Sequence, residues 1–185
     1  MSQILVISGH PDLKNSLANR TILEELAQSD MPIRVRRLDL LGWDLPVAEE
    51  QDCLRQADII VFQFPFYWYS CTALLRNYME KVLSHGFAYG SEGTALQGKK
   101  LVLSFTIGGA EKDYSSQGRH RHVIDEFLYT FQQTAALCGM VYEKPVYTFG
   151  CLYIPGISRK EDGERVEKAS RLHGAELLEE LRALS

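Results

Sequence analysis

Side chains and backbone groups that can bind an anion follow the first apolar segment of the chain. Residues 4–7 are apolar, His10-Pro11 comes next, and Ser16 and Asn19 stand where a helix is expected to begin. A helix N-terminus has free backbone N–H groups and a positive dipole end, which together bind phosphate groups. The segment therefore predicts a phosphate site, with a plain capped helix as the alternative. It contains neither a dinucleotide-binding Gly-x-Gly-x-x-Gly nor a P-loop motif.

A run of aromatic residues follows a second apolar segment. Residues 63–70 read Gln-Phe-Pro-Phe-Tyr-Trp-Tyr-Ser and come directly after the apolar residues 59–62. In open α/β sheets, ligands bind at the carboxyl ends of the strands. Flat side chains at this position predict a flat ligand, and the alternative is that they cap the core.

Two glycines and two titratable side chains form the third group. Residues 106–109 read Thr-Ile-Gly-Gly, and paired glycines allow a backbone to approach a ligand closely. Tyr114 and His120 follow, and a phenol and an imidazole can share a proton. Histidine ordinarily titrates near ~6.5 and tyrosine near ~10, so the histidine is the better proton reservoir at neutral pH. A simple Gly-Gly turn with surface residues after it is the alternative.

Strand and helix patterns alternate along the whole chain, which predicts a parallel sheet with helices on both faces. Strands are expected at residues 4–7, 33–38, 59–64, 101–105 and 141–149. Helices are expected at about 16–29, 48–57 and 74–83, through Val123, Phe127, Phe131 and Ala135, and from about 160, with Ala169, Leu172, Leu177 and Leu181 facing inward. Five strands favour a single flavodoxin-like domain over residues 1–185, a three-layer α/β sandwich with strand order 2-1-3-4-5. The long loops 84–99 and 108–120 are expected on the ligand side of this sheet.

Composition narrows the class of protein. The 185 residues suit one domain, and a net charge of −4 argues against a nucleic-acid partner. The four cysteines show no metal-binding spacing, which predicts free thiols in a reducing compartment and no metal site. Met1-Ser2-Gln3 leads straight into a strand, and the longest apolar segment is too short to cross a bilayer. A cytoplasmic protein is expected.

Taken together, these segments resemble the NAD(P)H:quinone oxidoreductase family, the DT-diaphorase-like branch of the flavodoxin-like flavoproteins. Five motifs occur in the family's order: His10-Pro11 with Ser16-x-x-Asn19, Phe64-Pro65-x-x-Trp68-Tyr69, Gly86-Phe87-Ala88-Tyr89, Thr106-x-Gly108-Gly109, and Tyr114 with His120 six residues later. The segment Ser84-His85-Gly86 is also similar to bacterial proteins that assist glutathione-gated potassium efflux.

The resemblance implies an FMN-dependent NAD(P)H:quinone oxidoreductase that transfers two electrons as a hydride by a ping-pong mechanism. FMN is expected rather than FAD, because the insertion that helps to hold an adenine is absent between Leu38 and Cys53. The implied cofactor-binding residues are His10, Ser16, Leu17, Ala18, Asn19, Phe66, Tyr67, Trp68, Tyr69, Thr106, Ile107, Gly108 and Gly109. Ile107 replaces a second threonine of the family, and its backbone N–H is expected to remain available.

The resemblance also implies catalytic roles for Tyr114 and His120, a substrate pocket with Phe87 and Tyr89, and a homodimer. One alternative is a cytoplasmic regulatory subunit of a potassium efflux transporter, located peripherally at the inner face of the membrane. A flavodoxin-type one-electron carrier is a further alternative, although carriers of that type have strongly acidic surfaces.

Overall fold

The central sheet has six strands in the computed structural model, which describes residues 2–185; Met1 lies outside the described residues. They are β1 (Ile4–Ser8), β2 (Ile33–Arg37), β3 (Ile59–Pro65), β4 (Lys100–Thr106), β5 (Val141–Tyr142) and β6 (Val146–Thr148). All neighbouring strands pair in parallel in the order β2-β1-β3-β4-β5, and β6 also pairs with β4. The predicted order is therefore confirmed.

The predicted fifth strand is broken into β5 and β6. Both segments pair with β4, and Glu143-Lys144-Pro145 separates them. Proline has no backbone N–H to donate to a sheet, so a continuous strand through Pro145 would lose a hydrogen bond.

Helices cover both faces of the sheet, as the alternating pattern predicts. They are α1 (Leu17–Ala27), α2 (Leu38–Leu41), α3 (Val47–Gln56), α4 (Ala73–Val82), α5 (Tyr129–Leu137) and α6 (Lys160–Leu184). Apolar residues of α1 and α6 share one core layer, whereas those of α3, α4 and α5 share the other. Because both faces are covered, every residue of β1 and β3 is buried.

Two helix predictions need correction. The helix expected from Val123 begins as a 3₁₀ segment at Ile124–Leu128, and the α-helix starts only at Tyr129. In α6, Leu172 is 64% exposed, and the inward face is instead formed at its centre by Ser170, His173 and Gly174. The prediction for Leu172 is wrong because it assumed that the larger apolar side chain faces the core.

The loop 84–99 does not lie on the ligand side. It follows α4 and precedes β4, so it lies at the amino ends of the strands, where Nζ of Lys99 donates to the backbone oxygen of Arg55 at 2.9 Å. The loop 108–120 follows β4 and lies at the carboxyl ends. Only the second of the two expectations is therefore met. Within residues 2–185, no helix combines the length and apolar character that a membrane span requires.

Candidate functional site

A cleft of about 330 Å³ opens where β1, β3 and β4 end. This volume lies at the lower end of the range for small-molecule sites. The lining residues come from the loop before α1, the end of β3, the end of β4 and the segment after β6: His10, Pro11, Asp12, Asn15, Ser16, Leu17, Ala18, Asn19, Pro65, Phe66, Tyr67, Thr106, Gly108, Cys151, Leu152 and Tyr153.

The N-terminus of α1 faces this cleft with two unused donors. Oγ of Ser16 caps the helix and accepts from the backbone N–H of Asn19 at 3.3 Å. The backbone N–H groups of Leu17 and Ala18 have no acceptor among residues 2–185. With the helix dipole, they form a site for an anionic group.

His10 adds a neutral donor beside this helix end. Its Nδ1 accepts from the backbone N–H of Asp12 at 3.0 Å, so the neutral ring carries its proton on Nε2. Burial lowers the pKa of His10, against the opposing effects of Asp12 and Asp39. The carboxylate of Asp12 also lies in the cleft wall, where Nδ2 of Asn15 donates to it at 2.8 Å.

Asn19 occupies the centre of a buried hydrogen-bond network. Its Oδ1 accepts from Nε2 of Gln63 at 2.6 Å, and its Nδ2 donates to Oγ1 of Thr106 at 3.1 Å. The side chain is 2% exposed, and Nδ2 also lies 3.0 Å from Oγ of Ser16. The amide therefore connects α1 with β3 and β4, and its direct partners are protein groups.

The aromatic run forms a tight turn. The backbones of Tyr67 and Ser70 exchange two hydrogen bonds of 3.0 Å, and the central residues Trp68 and Tyr69 have φ values of 49° and 63°. Such left-handed conformations cost non-glycine residues on the order of 1–3 kcal/mol and cluster at functional sites. The turn leaves Trp68 93% exposed, while Phe66 packs in the core beside Phe105. Tyr67 lines the cleft, whereas Trp68 does not.

The backbone N–H of Ile107 is not available, so this part of the expectation for Ile107 is wrong. Its backbone N–H donates to the oxygen of Thr148 at 2.8 Å, and its side chain is 1% exposed. Pairing with β6 therefore uses the donor that was expected to remain available. Gly108 and Thr106 do line the cleft.

Tyr114 and His120 lie together, as their spacing suggested. Their ring centroids are 4.3 Å apart, and a Cβ added to Gly109 would lie 3.2 Å from Cε2 of Tyr114. Nδ1 of His120 lies 3.3 Å from the hydroxyl of Tyr69. Burial, with smaller contributions from Tyr69 and Asp113, raises the pKa of Tyr114, so its phenol stays protonated at neutral pH.

Phe87 does not line the cleft. Its ring is 5% exposed within the core, and the guanidinium of Arg55 lies 5.0 Å from its centroid. Arg55 belongs to the end of α3, at the amino ends of the strands, so this position is opposite the cleft. Tyr89 is partly buried and packs edge-on against His85.

Sequence reasoning missed the wall formed by Cys151, Leu152 and Tyr153. The backbone N–H of Cys151 donates to the oxygen of Ile107 at 2.8 Å, which holds this segment against the loop after β4. Burial raises the pKa of Cys151 to about 11, so it remains a thiol. Its position after the last strand was the available signal, because every segment that follows a parallel strand starts at the carboxyl edge.

His173 was also missed. It is 1% exposed, with Nε2 2.8 Å from Oγ of Ser104 and Nδ1 2.9 Å from Oγ1 of Thr148. Burial lowers its pKa to about 4. This neutral ring joins α6 to β4 and β6 behind the cleft. Among residues 2–185, no group of three or more His, Cys, Asp or Glu side chains could hold a metal ion.

The sheet order and a cleft at the carboxyl ends of the strands define a flavodoxin-like protein. The chain belongs to the family described as having a flavodoxin-like fold, whose model matches residues 2–172. The resemblance based on the motifs is therefore confirmed.

Sequence and structure matches to known proteins cover most of the chain. General stress protein 14 of Bacillus subtilis is 40% identical over 153 residues, covering 82% of this chain and 87% of the relative. A B. subtilis protein named uncharacterized NAD(P)H oxidoreductase YrkL is 37% identical over 163 residues, which cover 88% of this chain and 94% of the relative. The crystal structure of general stress protein 14 of Treponema denticola in complex with FMN is similar to this chain, with a TM-score of 0.83 and 29% sequence identity. The match covers 95% of this chain and 97% of the T. denticola chain.

Proposed function

We propose that this chain is an FMN-dependent NAD(P)H oxidoreductase that reduces quinones. The observation that carries the proposal is the cleft itself, where unused backbone donors at the start of α1 lie at one end and aromatic and glycine residues form the walls. Its T. denticola relative has FMN bound, and a neighbour of 27% identity and TM-score 0.77 from P. pentosaceus is named NADPH-quinone reductase.

The residues of the cleft fit FMN. The N–H groups of Leu17 and Ala18 suit a phosphate, and Nε2 of neutral His10 supplies a further donor. Gly108 has space toward Leu152, because a Cβ added there would meet only Leu152 atoms at 3.7 Å or more. The carboxylate of Asp12 opposes an anion, and its hydrogen bond from Asn15 reduces that effect.

When bound, FMN supplies a ring system that accepts a hydride from a nicotinamide and passes it to an acceptor. Tyr114 keeps its phenolic proton at neutral pH and can donate a hydrogen bond where negative charge develops. His120, in ring contact with Tyr114, can take up or release the balancing proton. If the nucleotide and the quinone use the same cleft in turn, ping-pong kinetics follow.

We also propose that the chain works as a homodimer. The turn leaves the ring of Trp68 exposed to solvent, and in a dimer a second copy of the chain would cover this ring. Sedimentation equilibrium tests this proposal, and a Trp68→Ala variant that remains dimeric with unchanged FMN affinity would remove this role of Trp68.

The visible absorption spectrum of the purified protein tests the proposed cofactor. We expect flavin bands, FMN in the heat-released fraction, and bleaching when NADH or NADPH is added without oxygen. A quinone added afterwards should restore the colour. A colourless protein that takes up no added FMN would contradict the proposal.

A second candidate function is association with a potassium efflux transporter. The ancillary protein KefG of Pectobacterium atrosepticum is 37% identical over 148 residues, covering 80% of this chain and 81% of the relative. Measurement of transporter-mediated potassium efflux with and without this chain tests the idea. Unchanged efflux, together with efficient quinone reduction, would favour the enzymatic role.

A further inference from the structure

A tight turn presents two arginines on either side of His120. The backbone N–H of Arg121 donates to the oxygen of Gly118 at 3.2 Å, which closes the turn, and Arg121 has a φ of 58°. A Cβ on Gly118 would lie 2.5 Å from the backbone oxygen of Asp113, so the turn needs glycine there. The chain thus holds Arg119 and Arg121 in a defined local conformation beside His120.

Neither guanidinium has an acidic partner. Within residues 2–185, Arg119 and Arg121 form no ion pair and no side-chain hydrogen bond, and both are exposed. Most other arginines do form ion pairs with carboxylates: Arg20, Arg36, Arg37, Arg55, Arg159, Arg165, Arg171 and Arg182. Glu126, four residues beyond His122, is occupied by Nδ1 of that histidine at 2.7 Å. The two charges beside His120 are therefore free to bind an external anion.

The two arginines line a shallow depression with further donors. It has a volume of about 520 Å³ and is also lined by Ser116, Gln117 and Gly118. The hydroxyl of Ser116 and the amide of Gln117 form no hydrogen bond within residues 2–185. A hydroxyl, an amide and two guanidinium groups are the donors that bind a phosphate.

The loop as a whole is not basic. Residues 111–126 contain four carboxylates and three Lys or Arg side chains, so a general positive field does not explain anion binding there. Recognition must come from direct contacts, and the planar guanidinium matches a phosphate with two parallel hydrogen bonds. The depression therefore suits one phosphate group of a defined ligand.

We propose that Arg119 and Arg121 bind a phosphate group of the nicotinamide nucleotide that donates the hydride. This inference rests on the proposed function. We infer the ligand from the position of the two arginines. They are the sequence neighbours of His120, whose ring contacts that of Tyr114. A nucleotide that reaches these side chains brings its phosphate groups with it. These phosphates are the diphosphate of NADH and NADPH and the 2′-phosphate that only NADPH carries.

Steady-state kinetics of the FMN-loaded double variant Arg119→Ala/Arg121→Ala test the proposal. We expect the KM for the nucleotide to rise about tenfold or more, since hydrogen bonds to charged groups are lost. The kcat and the KM for the quinone should stay within twofold. The variant Arg119→Lys/Arg121→Lys should recover part of the affinity, because charge returns without the planar fork. Arg34→Ala is the matched control, since Arg34 is exposed on β2 and also lacks an ion pair.

Comparison of the two nucleotides identifies the phosphate. A rise in KM for NADPH alone assigns the 2′-phosphate, and an equal rise for both assigns the diphosphate. Unchanged KM values for both, or a fall in kcat at unchanged KM, would overturn the proposal.

Calorimetric titration with 2′,5′-ADP and with ADP provides a readout that needs no turnover. The double Ala variant should lose binding of at least one of them, whereas Arg34→Ala should retain both. If the wild-type protein oxidises neither nucleotide, the proposed function fails, and this titration still decides whether the arginines bind phosphate. Equal binding by the wild type and the double variant would then exclude phosphate binding by the two arginines.

Discussion

The hydroxyl of Tyr69 lies 3.3 Å from Nδ1 of His120, although the two residues are 51 positions apart in the sequence. This contact joins the aromatic turn after β3 to the loop after β4. When the tyrosine donates, Nδ1 is the acceptor and the neutral imidazole carries its proton on Nε2. Tyr69 thereby orients the ring that we propose as the proton reservoir.

Replacing Tyr69 with phenylalanine should alter proton transfer more than stability. The hydroxyl is partly exposed, so the free energy of unfolding should fall by less than about 1 kcal/mol. The pH dependence of quinone reduction should change, because Nδ1 of His120 loses its contact with the tyrosine hydroxyl. Denaturant titration and a pH–rate profile of each variant check both parts, with Tyr129→Phe, on an exposed position of α5, as control. An unchanged profile would remove Tyr69 from this role.

His120→Ala should lower the rate of quinone reduction while FMN binding stays close to that of the wild type. The imidazole contacts Tyr114 and Tyr69 and does not line the cleft that we assign to FMN. General acid–base groups typically contribute about 10²–10⁴-fold. Stopped-flow measurement of each half-reaction gives the rate, and fluorescence titration gives the FMN affinity. Equal rates in both proteins would contradict the proposed role.

Asn19→Leu should destabilise the fold by about 1–3 kcal/mol, because Gln63 and Thr106 would remain buried without their shared partner. Urea titration measures this loss. Asn15→Leu is the control, since its amide bonds only the exposed Asp12 carboxylate. Similar losses in the two variants would show that the buried network adds nothing specific.

Two substitutions of Ser16 distinguish its role in helix capping from the proposed anion binding. Ser16→Ala should cost about 1 kcal/mol of stability, whereas Ser16→Asp keeps a capping oxygen and should cost little. The new carboxylate would repel a phosphate at the N–H groups of Leu17 and Ala18, so Ser16→Asp should bind FMN more weakly than Ser16→Ala. Thermal melts of the FMN-free proteins and FMN titrations measure the two effects. The opposite order of FMN affinities would contradict a phosphate site here.

His173 should make the fold sensitive to acid. Its folded pKa of about 4 lies below the usual 6.5, so the unfolded chain binds the proton first as pH falls. The stabilisation is complete above about pH 6.5, and about 2 kcal/mol of it should be lost between pH 7 and pH 5. Urea titrations at both pH values measure this, and His173→Gln should remove that part of the difference. A wild-type stability that is equal at both pH values would contradict the prediction.

The pattern of apolar residues along the chain predicts much of this fold, because it identifies the strands, the helices and the strands that are buried on both faces. Alternating apolar segments place β1 and β3 in the centre, and the start of α1 follows from Ser16. Pairing between distant segments is not visible in the same way. The N–H of Ile107 is used by Thr148, and no local signal reports that contact.

Side-chain size misled the prediction for α6, because the core there prefers small and polar groups. Gly174 faces inward because a Cβ there would lie 2.6 Å from Cβ of Glu25 on α1, and His173 finds two hydroxyl partners. Leu172 consequently points outward. The close approach of two helices decides which face is buried, and that approach depends on both chain segments together.

The break at Pro145 also determines how copies of this chain can meet. On the β5–β6 side, the outer strand is short and interrupted, and on the other side β2 carries three arginines in five residues. Short, proline-interrupted or charged borders discourage strand addition from another molecule. Assembly by extending the sheet is therefore disfavoured at both ends, and a stable pair would have to form through helices and loops.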